Sequence, residues 1–333
     1  MAKREAIQGY LFETFVKDLV KKAGFNPDVK SQQITKSGRF RGRGATHQID
    51  VYGEFRFTIP FIYPINIIGE AKGYSKGRVS LNVARSFCGV IKDVQEWYHI
   101  DTTKGGLTRF ERVGEKRFNH CGAIFSLTGF SKPAIEYCWA QGIYPISYEN
   151  NPIILKMMSN FKKLSNEVRI TDLSKGVKKS FKNKSLDELY KIVDNKAKYK
   201  NFDKKLGFII KELDNIYSYF GMLNGRFVCN IISNTKLLDE YKDEKLIVKY
   251  RDIFKLYTTN NVFLGYFSLP NQFLSIYLQS IKNIKKMFGY IDIFFTDKQN
   301  LNVRKFLFET QSIENLANKL PKYLELQKQK EDK

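Results

Sequence analysis

The sequence predicts a mixed α/β domain followed by an α+β domain, and three observations carry that reading. The chain has 333 residues, enough for two domains at roughly 100–200 residues each. Its first 150 residues alternate helical and strand patterns in the order αββαβαβ. The rest pairs strand-like stretches around longer helical ones. Hydrophobic residues at 43% and aromatics at 14% exclude a disordered chain.

Residues 5–23 form the first helix, with Leu11, Phe12, Phe15, Val16, Leu19 and Val20 at helical spacing and Gly24 as its stop. A Gly-Arg loop, residues 38–44, leads into a strand over Thr46–Phe57. A second strand covers Ile65–Lys72, after a connection carrying Pro60 and Pro64. Residues 79–98 make the second helix. Cys121–Leu127 reads as a buried strand, Lys132–Ala140 as a short helix and Tyr144–Ser147 as the last strand of this domain.

Residues 151–185 read as a basic linker or arm, and 186–333 as the α+β domain. There we expect helices over 186–219, with Tyr217, Tyr219 and Phe220 at helical spacing, and a strand at 226–233. A strand pair between 250 and 268 turns at Asn260-Asn261. A helix at 271–287, a hairpin at 288–311 and a C-terminal helix complete the domain.

Lys and Arg number 56 against 34 Asp and Glu, a formal charge of +22. Residues 1–150 hold 22 basic and 14 acidic side chains, and residues 151–200 alone hold 13 against 5. A partner bearing phosphates follows from that balance, because Lys and Arg displace counterions condensed on nucleic acid. The most apolar stretch, residues 57–68, is too short to span a bilayer and is broken by proline. No secretory signal opens the chain, so we expect a cytoplasmic protein without membrane contact. The four cysteines form no CxxC pair and read as buried thiols.

The chemistry concentrates in two segments, His47-Gln48-Ile49-Asp50 and Ile67-Ile68-Gly69-Glu70-Ala71-Lys72. On a strand Glu70 and Lys72 project to one side and Gly69 and Ala71 to the other. Asp50, in the neighbouring strand, is expected opposite them. Two hard oxygen ligands, Asp50 and Glu70, suit Mg²⁺. A lysine beside them suits positioning of an attacking water and stabilisation of phosphorane charge. An ordinary surface ion pair would also show an i, i+2 acid and base. It would not place them inside so apolar a strand.

With Asp50, Glu70 and Lys72 in this order, the chain resembles the PD-(D/E)xK nuclease superfamily, and within it the Mrr-like restriction endonuclease group. Glu13, on the first helix, matches the helix glutamate that assists the metal site. Residues 83–90, 124–131 and 134–143 resemble the helix, strand and helix-strand that follow the motif lysine. The resemblance spans roughly residues 5–148. It implies a restriction-endonuclease-like core, a mixed central sheet flanked by helices. It also implies Mg²⁺-dependent cleavage of DNA, with Mn²⁺ substituting, and a homodimer in restriction or antiviral defence. Isoleucine stands where the family often has proline before the first aspartate. The connection between Asp50 and Glu70 is also longer than usual.

Arg39, Arg41 and Arg43 in the glycine-rich loop, with Lys76 and Arg78 just past Lys72, are candidate phosphate contacts. His47 has two readings, a phosphate contact or a helix-packing residue facing away from Asp50. Gln95 reads as a solvated helix position. Two other functions stay open: a DNA-binding or assembly protein that no longer cuts, and a repair or junction nuclease. The C-terminal domain is assigned to target recognition, dimerisation or docking of a protein partner.

Overall fold

The computed structural model describes residues 2–27, 33–57, 61–73, 77–99, 118–167, 209, 211–223, 227–241, 244–251, 253–268, 288–296 and 301–309. A first sheet of five strands runs in the order β1-β4-β5-β6-β7. Its strands are β1 (Phe25–Asn26), β4 (Val51–Phe55), β5 (Ile65–Lys72), β6 (Asn119–Ser126) and β7 (Tyr144–Ser147). The first three pair antiparallel, and β5, β6 and β7 run parallel. Helix α1 (Ala2–Lys22) and helix α4 (Pro152–Glu167) cover one face. Helix α2 (Leu81–Gln95) and helix α3 (Lys132–Ala140) cover the other.

Strand parity explains this layering. Ile67, Ala71, Ala123 and Phe125 pack with Phe12, Phe15 and Leu19 of α1, while Ile68 and Ile124 pack with Phe87 and Ile91 of α2. Fully burying each of the leucine, isoleucine and phenylalanine side chains among them stabilises by about 1.5–3 kcal/mol relative to exposure. The sheet is therefore held from both sides, and its strand ends are fixed in place. This is the mixed α/β sheet with flanking helices that the pattern predicted.

The expected strand over Thr46–Phe57 is interrupted. Strand β3 (Thr46–His47) leaves the sheet to pair with β2 (Phe40–Arg41) in a small ribbon, and β4 begins only at Val51. Residues 152–167, expected within a basic linker or arm, instead form α4. Asn151 caps it, its Oδ1 accepting the amides of Ile153 (3.1 Å) and Ile154 (3.3 Å), and Pro152 opens the first turn. Ile154, Met157 and Phe161 are buried against α1. The Lys-rich composition masked that apolar stripe. Residues 168–185 lie outside the described ones.

A second sheet runs in the order β13-β14-β10-β11-β12-β9-β8. Its strands are β8 (Tyr217–Leu223), β9 (Phe227–Ser233), β10 (Leu246–Arg251), β11 (Ile253–Thr258), β12 (Phe263–Ser268), β13 (Phe288–Thr296) and β14 (Leu301–Glu309). Every pairing is antiparallel except β10 with β14. The end strands β13 and β8 approach each other, so the sheet curls toward closure. The strand at 226–233, the pair turning near Asn261 and the 288–311 hairpin appear as expected. Tyr217, Tyr219 and Phe220 correct the reading of helix to 219. They lie on β8, where pairing with β9 and aromatic side chains favour extended backbone. Strand β10 was not foreseen. The helices expected at 271–287 and after 311 fall outside the described residues.

The two sheets share a packed interface. Tyr148, just past β7, is fully buried and donates its hydroxyl to Asn230 Oδ1 on β9 at 2.9 Å. Asn151 Nδ2 donates to Ser268 Oγ on β12 at 3.0 Å. Phe125 meets Phe220 edge-on at 6.3 Å. Among the described residues no helix is long and apolar enough to cross a membrane.

Candidate active site

Strand β5 ends at one edge of the first sheet, and its last residues build the site. Glu70 and Lys72 share a face and form an ion pair, each about three-quarters buried. Val51 pairs with Gly69, so Asp50, one residue earlier, lies level with Glu70. Asp50 is also pinned: its Oδ2 accepts the amide of Ala71 at 3.1 Å. The amide of a strand's last turn of pleat has no partner on that side, and the carboxylate takes it.

Glu13 enters from α1. Gly73 follows Lys72 directly, and a Cβ there would stand 3.0 Å from Phe12 Cβ. The missing side chain lets α1 close on the end of β5. Glu13 is next to Phe12 and falls within the electrostatic reach of Asp50, Glu70 and Lys72.

Burial chiefly raises the Glu13 carboxyl to about 7, with the negative charges of Asp50 and Glu70 adding to it. Asp50 is raised to about 6, again mainly by burial and then by Glu70; the Ala71 amide works against the rise. Three carboxylates thus influence one another at one partly dry corner, balanced by Lys72, which pairs with Glu70, and by Lys17. Lys17, one helical turn beyond Glu13, lowers the carboxyl pKa of both Glu13 and Asp50. The sequence reading did not single it out, although its i+4 spacing from Glu13 was visible.

The donor chemistry fits a divalent cation. Asp50 and Glu70 offer hard oxygens, and their mutual repulsion is the kind of charge excess that Mg²⁺ relieves. Among the described residues no group of three His, Cys, Asp or Glu side chains forms a ready-made cage.

The basic loop sits apart from this cluster and is tied to α2. Asp93 accepts the amides of Gly44 (2.8 Å) and Ala45 (3.2 Å) and bonds His47 Nε2 (2.6 Å). The His47 bond leads in holding the Asp93 carboxyl below its usual range. A Cβ at Gly42 would stand 2.0 Å from Asp93 Oδ2. Gly42 therefore admits a carboxylate of the chain itself. His47 takes the helix-contacting position of its two readings. Arg43 pairs with Glu96 (2.9 Å), and Arg39 donates to the Thr46 carbonyl (2.7 Å). Arg41 is exposed. Arg78 pairs with Glu149 (3.2 Å), and Lys76 lies outside the described residues. Gln95 donates to the His120 carbonyl (2.9 Å), not toward the carboxylates. Asp93 and Glu149 escaped the sequence reading because neither lies near the motif in sequence.

No protein-family model matches the chain, and no curated protein matches it. One solved structure is similar, a crystal structure described as a protein of unknown function, AF1548. It is 19% identical over 62% of this chain and 96% of its own, with a TM-score of 0.31.

Proposed function

We propose that the chain is a Mg²⁺-dependent endodeoxyribonuclease of the PD-(D/E)xK type, with a restriction-endonuclease-like core, acting in restriction or antiviral defence. The observation that carries the reading is the Asp50 carboxylate fixed on the Ala71 amide, between the Glu70 and Lys72 that flank this alanine. Position along the sheet, not sequence proximity, brings Asp50 to the Glu70–Lys72 pair.

In this reading Asp50 and Glu70 hold Mg²⁺, and Mn²⁺ substitutes for it. When bound, the ion supplies Lewis acidity toward a phosphoryl oxygen. Lys72 orients the attacking water and stabilises the negative charge that builds on phosphorus. Glu13, with a carboxyl near 7, is suited to hold or take up a proton at neutral pH. Arg39, Arg41, Arg43, Lys76 and Arg78 supply phosphate contacts, with His47 acting through the loop it anchors. Cutting both strands of a duplex calls for a two-fold dimer.

The test is nicking of supercoiled plasmid with Mg²⁺ by the wild type, Asp50→Ala and Lys72→Ala. Cleavage by the wild type alone supports the reading. Equal nicking by all three contradicts it. DNA binding by a wild type that never cuts points instead to a binding or assembly protein.

A further inference from the structure

We propose that the ribbon of β2 and β3 enters the major groove of duplex DNA and that Arg41 reads a guanine there, beyond any contact to phosphate. The ribbon has two unlike faces. Register sets Phe40 opposite His47 and Arg41 opposite Thr46. Phe40 is buried and its ring lies 5.1 Å from that of Tyr52, while His47 turns to Asp93 on α2. Parity then puts Arg39, Arg41 and Thr46, all exposed, on the outer face.

This outer face is held still from behind. Gln33 Nε2 donates to the Arg41 carbonyl at 3.1 Å and to the Val94 carbonyl of α2 at 2.7 Å. The Arg43 amide donates to the Asp93 carbonyl at 2.9 Å. A flexible basic tail suffices to hold phosphates, whereas reading bases needs donors fixed on a rigid element.

The three arginines differ in which donors they keep. Arg39 lies across the ribbon, its Nε donating to the Thr46 hydroxyl at 3.2 Å and its Nη2 to the Thr46 carbonyl at 2.7 Å. Arg43 is paired with Glu96. The Arg41 guanidinium has no partner among the described residues, so its whole fork of donors is open to a ligand. Residues 29–49 contain no Asp or Glu, and the acids that meet this segment, Asp93 and Glu96, bond to His47 and Arg43.

A two-stranded ribbon fits the major groove of B-DNA, about 12 Å wide, where guanine O6 and N7 accept the paired donors of an arginine. The deep, narrow major groove of an RNA duplex excludes it. Thr46, opposite Arg41, is four residues from Asp50, at most about 14 Å of extended chain. At about 3.4 Å per base pair, and with the reach of the arginine added, the guanine lies within roughly six base pairs of the bond cut. That distance rests on the nuclease reading; the groove contact does not.

The test is selection from a randomised duplex DNA library by the full chain in EDTA, using wild type, Asp50→Ala and Arg41→Ala. Wild type is expected to enrich a guanine. Arg41→Ala, a change at an exposed side chain, is expected to bind DNA without that enrichment. In the selected duplex, adenine in place of this guanine is expected to weaken wild-type binding about 5- to 150-fold and to leave Arg41→Ala unaffected. A smaller loss is expected with 7-deazaguanine, which pairs normally but lacks the N7 acceptor. No enriched guanine, the same enrichment by Arg41→Ala, indifference to 7-deazaguanine, or tighter binding of an RNA duplex of the selected sequence overturns the proposal. Asp50→Ala keeps the two readings apart: it is expected to enrich the same guanine whether or not wild type cuts plasmid. Cutting by a wild type with no base preference overturns the groove contact alone.

Discussion

The amide of Ala71 donates to the carboxylate of Asp50 at 3.1 Å, across a gap of 21 residues in sequence. That bond fixes an acidic side chain beside the Glu70–Lys72 pair, one residue before β4 begins and in line with its pairing to β5. The carboxyl groups of Glu13 and Asp50 are raised chiefly by burial and then by the charge of neighbouring carboxylates, and the Ala71 bond works against the rise at Asp50. Acids held this close and this dry keep their protons longer.

Stability should therefore depend on Glu13 in a defined pH window. Its carboxyl is raised from 4.5 to about 7 in the folded chain. The folded state binds the proton more tightly, so this stability is full below 4.5 and is lost as pH rises through about 7. Glu13→Gln should be more stable than wild type near pH 8, by about 1–2 kcal/mol after solvent screening. The advantage should vanish near pH 4. Urea denaturation in EDTA at both pH values checks it; an equal difference at both would contradict the assignment.

Binding of Mg²⁺ should release protons. With Glu13 near 7 and Asp50 near 6, a cation at this corner competes with hydrogen ions. Affinity should rise as pH increases from about 5.5 to about 8, and flatten above the higher of the two carboxyl values. Calorimetry in two buffers of different ionisation heat measures the protons released. Heats independent of buffer would contradict the site.

The Asp93 clamp should hold the basic loop on α2. Asp93→Ala leaves the amides of Gly44 and Ala45 and the His47 ring without this partner. Gly42→Ala should act alike, because its Cβ would occupy the space of Asp93 Oδ2. Tryptic cleavage after Arg43 should become faster in both variants. A cleavage rate matching wild type would show that the clamp does not control the loop.

The joint between the two sheets should respond to loss of one hydroxyl. Tyr148→Phe leaves Asn230 Oδ1 without the hydroxyl it accepts in a fully buried setting. The expected cost is about 1–3 kcal/mol. Combined with Asn230→Ala the losses should not add, because both break one contact. Additive losses in denaturant titrations would mean that the bond does not couple the sheets.

Much of the first sheet was legible because its residues obey simple periods. Ile65–Lys72, Lys132–Ala140 and Tyr144–Ser147 appear with the bounds that alternation and helical spacing gave. The layering of Glu70 and Lys72 against Ala71 followed from strand parity alone. What escaped was tertiary. The departure of β3 from the sheet depends on pairing with β2 and on the Asp93 clamp, neither of which leaves a local pattern. Helix α4 hid because lysines surround its apolar stripe. Strand β8 hid because Tyr217, Tyr219 and Phe220 fit two periods, and only pairing with β9 decides between them.

The most direct measurement is single-turnover hydrolysis of an end-labelled duplex with Mg²⁺ by wild type, Asp50→Asn and Lys72→Met. Wild type is expected to cleave and each variant to lose about 10²–10⁴-fold, with duplex binding retained. Wild-type rates in either variant, or no cleavage by the wild type with Mg²⁺ or Mn²⁺, would contradict the nuclease reading.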